Sequence, residues 1–240
     1  MEPIRSLRNR AVVEAGRLHQ VRERRNRSRT LIEGPHALSE AIGAGMDIEA
    51  TFALVDDPHY GEWPVVSAVS EAVMGKLAGT ATPRGPVAVM HIPPWDPVPS
   101  NDVVVPVEVG DPGNLGTIIR TAAAFGLGVV IGPGTADPWS PKVLRAGAGG
   151  HFQTSLSHVE GPLAFSSHRL AASVVSGGVA PEHLDEGPWA FLIGGEAHGL
   201  DSAWVGAADV KVTIPMPGGS ESLNAAMAAA ILSYSRIVGS

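Results

Sequence analysis

"VVVPVEVGDPGNLGTIIRTAAAFGLGVVIG", residues 103–132, decides how this chain is read. An apolar run over 103–109, interrupted only by Glu108, stops at a Gly-Pro loop. Apolar residues then recur at helical spacing over 114–126, and a second apolar run follows at 128–132. The pattern is strand, helix, strand. The strands are near-continuous apolar runs instead of alternating, so both of their faces are covered.

The same alternation extends outward in both directions. Downstream, "SPKVLRAGAG" predicts a short helix and strands are expected at 170–175 and 189–194. A helix over 200–208, a strand over 210–215 and a last helix over 222–238 complete the chain. Upstream, residues 1 to about 24 predict an exposed helix. A strand at 30–33, a helix at 35–44 and a strand at 50–55 come next, and the alternation continues to about 92. Between the two halves lies "PPWDPVPSND", four prolines in ten residues, where neither helix nor ladder can continue. The expected organisation is therefore α/β with a mostly parallel sheet. The boundaries are a smaller domain at 1–92, a Pro-rich linker at 93–101 and a larger domain at 102–240. Ligands on such sheets sit where strands end and helices begin.

Composition narrows the function. The 240 residues, 44% of them apolar, suffice for one large or two modest cores. The absence of cysteine removes disulfides, thiolate metal sites and cysteine nucleophiles. No apolar run is long enough to cross a membrane, and the N-terminus lacks a secretory signal, so a cytoplasmic protein is the expectation. The net charge of −7 argues against a general nucleic-acid coat. Its distribution is uneven. Residues 1–30 hold nine arginines against three glutamates, +6, leaving −13 on the remainder. An Arg-rich arm on an acidic body fits a polyanion held at one end, but charge alone favours a solvated, Arg-rich helix.

Three strand-to-helix loops carry the unusual residues. In "GDPGNLGTIIRTA", Asn114 is placed to cap the helix, and Arg120 shares a helical face with Gly113, Gly116 and Thr117. Read alone, the loop fits an anion clamp and equally a tight turn with a surface arginine. GxGxxG is absent, so it is not a dinucleotide fingerprint. In "FLIGGEAHGL", Gly194 and Gly195 end a buried strand and Glu196 follows at once, either as a functional carboxylate or as first-turn acid of the next helix. No second ligand stands at metal spacing, and none is assigned. In "IPMPGGSESLNAA", Ile214, Pro215 and Met216 make an apolar lip and Gly218–Gly219 a flexible loop. Ser222 is the expected N-cap, with Asn224 in the first turn.

In this order the three loops resemble the SpoU (TrmH-like) family of RNA ribose 2′-O-methyltransferases, within the SPOUT superfamily. The family's N-x-G-x-x-x-R-T-A motif matches Asn114, Gly116, Arg120, Thr121 and Ala122. G-x-E-x-x-G-L matches Gly194, Glu196, Gly199 and Leu200. I-P-M, a Gly loop and S-L-N match Ile214, Pro215, Met216, Gly218, Ser222, Leu223 and Asn224, with Ala225 and Ala226 departing from the usual Val-Ser. The resemblance is strong over about 102–240. Residues 27–92 resemble, more weakly, a ribosomal-L30e-like substrate domain.

The resemblance implies a C-terminal segment threaded into a deep trefoil knot, which gives the slim Ala-rich last helix a reason. It implies S-adenosylmethionine as cofactor, held by Gly194, Gly195, Gly199, Ile214, Met216, Leu223 and Asn224. It implies a homodimer and casts Arg120, Asn114, Glu196, Ser222 and Asn224 as catalytic. Arg22, Arg24, Arg25, Arg27 and Arg29 of the N-terminal arm are then expected to contact RNA. Ribosomal RNA is favoured, with antibiotic resistance among the possible roles. A transfer-RNA enzyme and a non-catalytic RNA-binding member are the alternatives.

Overall fold

The computed structural model describes residues 2–79, 83 and 85–238, so the first residue of the N-terminal arm and the last two of the C-terminal domain lie outside the described residues. The chain divides into two compact units. One comprises the residues up to Pro94 together with Asp137–Phe152, the other Trp95–Ala136 together with the residues from Gln153 onward.

In the first unit, helices α1 (Arg10–Arg17) and α2 (Val21–Arg27) precede β1 (Arg29–Glu33), α3 (Pro35–Gly43), β2 (Ile48–Leu54), β3 (Val66–Val69), α4 (Glu71–Leu77) and β4 (Val87–His91). The sheet order is β1-β4-β2-β3, with β4 antiparallel to both neighbours and β2 parallel to β3. The single exposed helix expected over 1–24 is absent. Residues 2–6 form no helix and 7–8 form a turn, and Ile4 pairs with the edge strand β3, its N–H donating to the Ala68 carbonyl at 2.8 Å. Asn9 then caps α1, accepting from Ala11 N at 2.9 Å. Val12, Ala15 and Leu18 recur at helical spacing and are buried with Leu31, Phe52 and Val73. That apolar stripe turns α1 inward.

A later stretch, with α6 (Pro141–Gly147), completes this unit. Thr30 Oγ1 donates to the Trp139 carbonyl at 2.5 Å, and Arg145 pairs with the partly buried Glu33 at 2.9 Å.

The second unit holds β5 (Val103–Val107), α5 (Pro112–Phe125), β6 (Gly128–Ile131), β7 (Leu156–His158), β8 (Arg169–Ser173), β9 (Trp189–Gly194), α7 (Ser202–Ala207), β10 (Val210–Val212) and α8 (Ala225–Val238). All pairs in the sheet, order β10-β8-β9-β5-β6-β7, are parallel. Val103, Val105, Val107, Ala190, Leu192 and Trp204 are buried in one core. The chain leaves β5 towards β6 on one side, while β9 lies on the other. The ends of β5 and β9 thus form a switch point, where ligands bind in open α/β sheets. The full register of β5 on β9, Val103↔Ala190 to Val107↔Gly194, starts their two loops side by side.

Candidate active site

Three loops meet at the C-terminal ends of the strands. The loop after β9 is held by backbone crowding. A Cβ on Gly195 would come within 2.2 Å of the Glu108 carbonyl oxygen at the end of β5, and one on Gly194 within 2.2 Å of the Gly199 carbonyl carbon. The missing side chain of Gly194 therefore serves its own loop, which folds back through Gly199 N–H donating to the Gly195 carbonyl at 3.0 Å.

α5 begins at Pro112, two residues before the sequence reading places it. Asp111 is the cap, accepting from Asn114 N at 2.8 Å, with Pro112 at the first helical position, where its fixed φ suits a helix start. Asn114 is thus a first-turn residue with its side chain available. A parallel correction applies to α8. Ser222 lies outside the helix, and Asn224 is the cap, its Oδ1 accepting from Ala226 N at 2.9 Å and Met227 N at 3.3 Å.

The consequence is a hydrogen-bond chain with a fixed direction. Because the Asn224 oxygen faces its helix, its Nδ2 faces outward and donates to Asn114 Oδ1 at 2.9 Å. Asn114 must then donate from its own Nδ2, and it does so to Glu196 Oε1. A carboxylate, which only accepts, is the matching terminus. One residue from each of the three loops is joined in this way.

Beside the chain lies a cavity of about 430 Å³. Gly194, Gly195, Glu196, Gly199, Ile214, Met216, Ser222 and Leu223 line it. Asn114 and Asn224 are not among the lining residues and reach the cavity through Glu196. Ser173, Val174 and Val175 at the end of β8 line it too, and sequence reasoning missed them. Their signal was their place at the end of a strand. Mostly apolar walls with few directing polar groups are the mark of a small-molecule site. Arg120 stands apart on α5, exposed and without a hydrogen bond or ion pair among the described residues.

The arginines of the N-terminal arm divide. Arg24 is buried in the first unit, pairs with Asp137 at 2.6 Å and donates to the Leu18 and His19 carbonyls at 2.8 and 3.0 Å. A guanidinium so enclosed is withdrawn from the candidate RNA contacts. Arg27 is tied to Glu14 and Glu23, and Arg29 to Glu49. Arg22 and Arg25, three apart on α2, are exposed. Among the described residues no cluster of metal-binding side chains occurs. No helix among them is long and apolar enough to cross a membrane.

Comparison with known proteins agrees with this geometry. Residues 101–234 match the SpoU rRNA methylase family, and residues 9–88 match an MRM3-like substrate-binding domain. The chain is 33% identical to the 23S rRNA (guanosine(2553)-2′-O)-methyltransferase RlmP of Bacillus subtilis, over 98% of both chains. It superposes with a TM-score of 0.85 on a crystal structure of an RNA 2′-O ribose methyltransferase, at 29% identity over 99% of each chain. The SpoU methyltransferase AviRb of Streptomyces viridochromogenes, solved in complex with the cofactor AdoMet, also superposes at 0.85. It is 26% identical, over 96% of this chain and 98% of that one.

Proposed function

This chain belongs to the SpoU rRNA methylase family, and on that premise we propose that it methylates a ribose 2′-hydroxyl of RNA, with S-adenosylmethionine as donor and ribosomal RNA as substrate. The junction of the three loops carries the reading: a cavity at the ends of β8 and β9, lined by Glu196, the end of the chain Asn224–Asn114–Glu196.

The residues present fit the donor. Ile214, Met216 and Leu223 offer apolar contact for an adenine, and backbone groups of 194–199 offer its hydrogen bonds. Among the described residues the lining contains no Lys or Arg to repel a cation. When bound, S-adenosylmethionine supplies a methyl group on a sulfonium whose leaving group is a neutral thioether.

The chain's own task is to position the nucleophile and ease the loss of its proton. Asn114, Glu196, Ser222 and Asn224 orient the ribose. Arg120 holds the adjacent phosphate and stabilises the developing alkoxide. It does not act as a base, since a guanidinium keeps its proton in proteins.

The same proposal includes a homodimer, a knotted C-terminus and a ribosomal-L30e-like first domain. Met227, Ile231, Tyr234 and Val238, exposed at helical spacing on α8, support a partner surface there. α8 buries Ala225, Ala226 and Ala229 and packs on α5 and β9, a slimness suited to a threaded segment. Arg22 and Arg25 supply RNA phosphate contacts, and the cytoplasm is the compartment that ribosomal RNA implies.

The test is methyl transfer from labelled S-adenosylmethionine to separated ribosomal and transfer RNA. Label at a ribose in ribosomal RNA is expected. Label confined to transfer RNA reassigns the substrate, and label in neither, with donor bound, leaves a non-catalytic RNA-binding protein.

A further inference from the structure

We infer that Glu196 makes the cavity selective for charge, favouring the sulfonium donor over its thioether product. The inference rests on the reading that the cavity takes S-adenosylmethionine. Among the lining residues Glu196 and His198 are the ionisable ones, and neither a lysine nor an arginine is present.

The carboxylate is held in place from two sides. Its Oε1 accepts from Asn114 Nδ2, whose direction is dictated by the Asn224 cap through Asn114 Oδ1. Its backbone cannot withdraw, because the neighbouring Gly195 sits against the Glu108 carbonyl, where a Cβ would be at 2.2 Å. Oε1 is the oxygen engaged by Asn114. The second oxygen makes no hydrogen bond to a described residue and is left to act on a ligand.

S-adenosylmethionine and S-adenosylhomocysteine share the adenosine and amino-acid parts. They differ by one methyl group and one positive charge. Apolar walls hold both nearly alike, whereas a fixed carboxylate acts on the charge alone. Loss of that charge as the methyl departs would loosen the product. Glu196 is exposed, so the expected preference is roughly two- to fivefold, the range of an exposed ion pair.

The test is calorimetric titration of the full chain. Three ligands are compared: S-adenosylmethionine, S-adenosylhomocysteine and sinefungin, which carries an ammonium where the sulfonium stands. The Glu196→Gln variant keeps an oxygen for Asn114 and loses only the charge. Wild type should bind both cations roughly two- to fivefold more tightly than S-adenosylhomocysteine, with the gap narrowing in high salt. Glu196→Gln should bind all three alike, with S-adenosylhomocysteine affinity unchanged. Equal affinities in wild type would overturn the inference. So would a gap that survives in Glu196→Gln, or equal weakening of all three ligands, which would mark a structural role. Binding of none by wild type would instead overturn the cofactor reading itself.

Discussion

Around the four-stranded sheet, charges are spent on one another. Arg24 is buried against Asp137, and Glu33 accepts from Arg145 and from the Gly79 amide. Around the six-stranded sheet, Asn114, Glu196 and Asn224 also bond to one another, yet all three stay at least partly open to solvent, at strand ends beside a cavity. Both arrangements satisfy polar groups. The difference is that the first set closes on itself, whereas the second ends on a carboxylate whose other oxygen makes no hydrogen bond to a described residue. Pairing inside a unit serves stability. A linked set at the switch point of a parallel sheet serves recognition.

The sharpest way to break this contrast is Arg24→Ala. It would leave Asp137 without its partner and should cost the first unit about 3–5 kcal/mol in chemical denaturation, while donor affinity, read by calorimetry under native conditions, stays unchanged. Arg120→Ala should do the reverse. Single-turnover methyl transfer should fall by about 10²–10³-fold, with unfolding midpoint and donor affinity preserved.

A smaller effect comes from His151. It is buried, its Nε2 lies 2.9 Å from the Pro138 carbonyl, and burial pushes its pKa down to about 4. The unfolded chain takes up this proton below about pH 6.5, the folded chain only near pH 4. Stability is therefore complete above pH 6.5 and falls as the pH drops towards 4, by up to about 1.4 kcal/mol per pH unit. Urea titrations at neutral and mildly acidic pH should show that slope, and His151→Asn should flatten it. The smallest effect is expected of Asn224→Ala, which removes a helix cap. A loss of about 1 kcal/mol in thermal stability is expected, together with weakened donor binding as Asn114 and Glu196 lose their fixed direction.

The parallel sheet was legible because its strands are long apolar runs separated by helical periodicity. β7 escaped notice because Leu156–His158 is three residues with one aliphatic side chain. The motif residues were legible, but their capping roles were not. Asp111 and Asn114 are both good caps, and only Pro112 at the first helical position selects Asp111. Likewise Ser222 and Asn224 both suit a cap, and the choice depends on the link from Asn224 to Asn114, which no local pattern encodes. Arg24 reads in sequence like its neighbours Arg22 and Arg25. Its partner Asp137 lies 113 positions away, and burial of that kind is set by tertiary packing.

The most direct test of the central claim, that the cavity at the ends of β8 and β9 holds the methyl donor, is calorimetric titration of the purified chain with S-adenosylmethionine. Wild type should show saturable binding at one site per chain, and a large side chain at the cavity wall, Ala228→Trp, should abolish it without unfolding the protein. Absence of binding in the folded wild type, or binding undiminished in Ala228→Trp, would contradict the account.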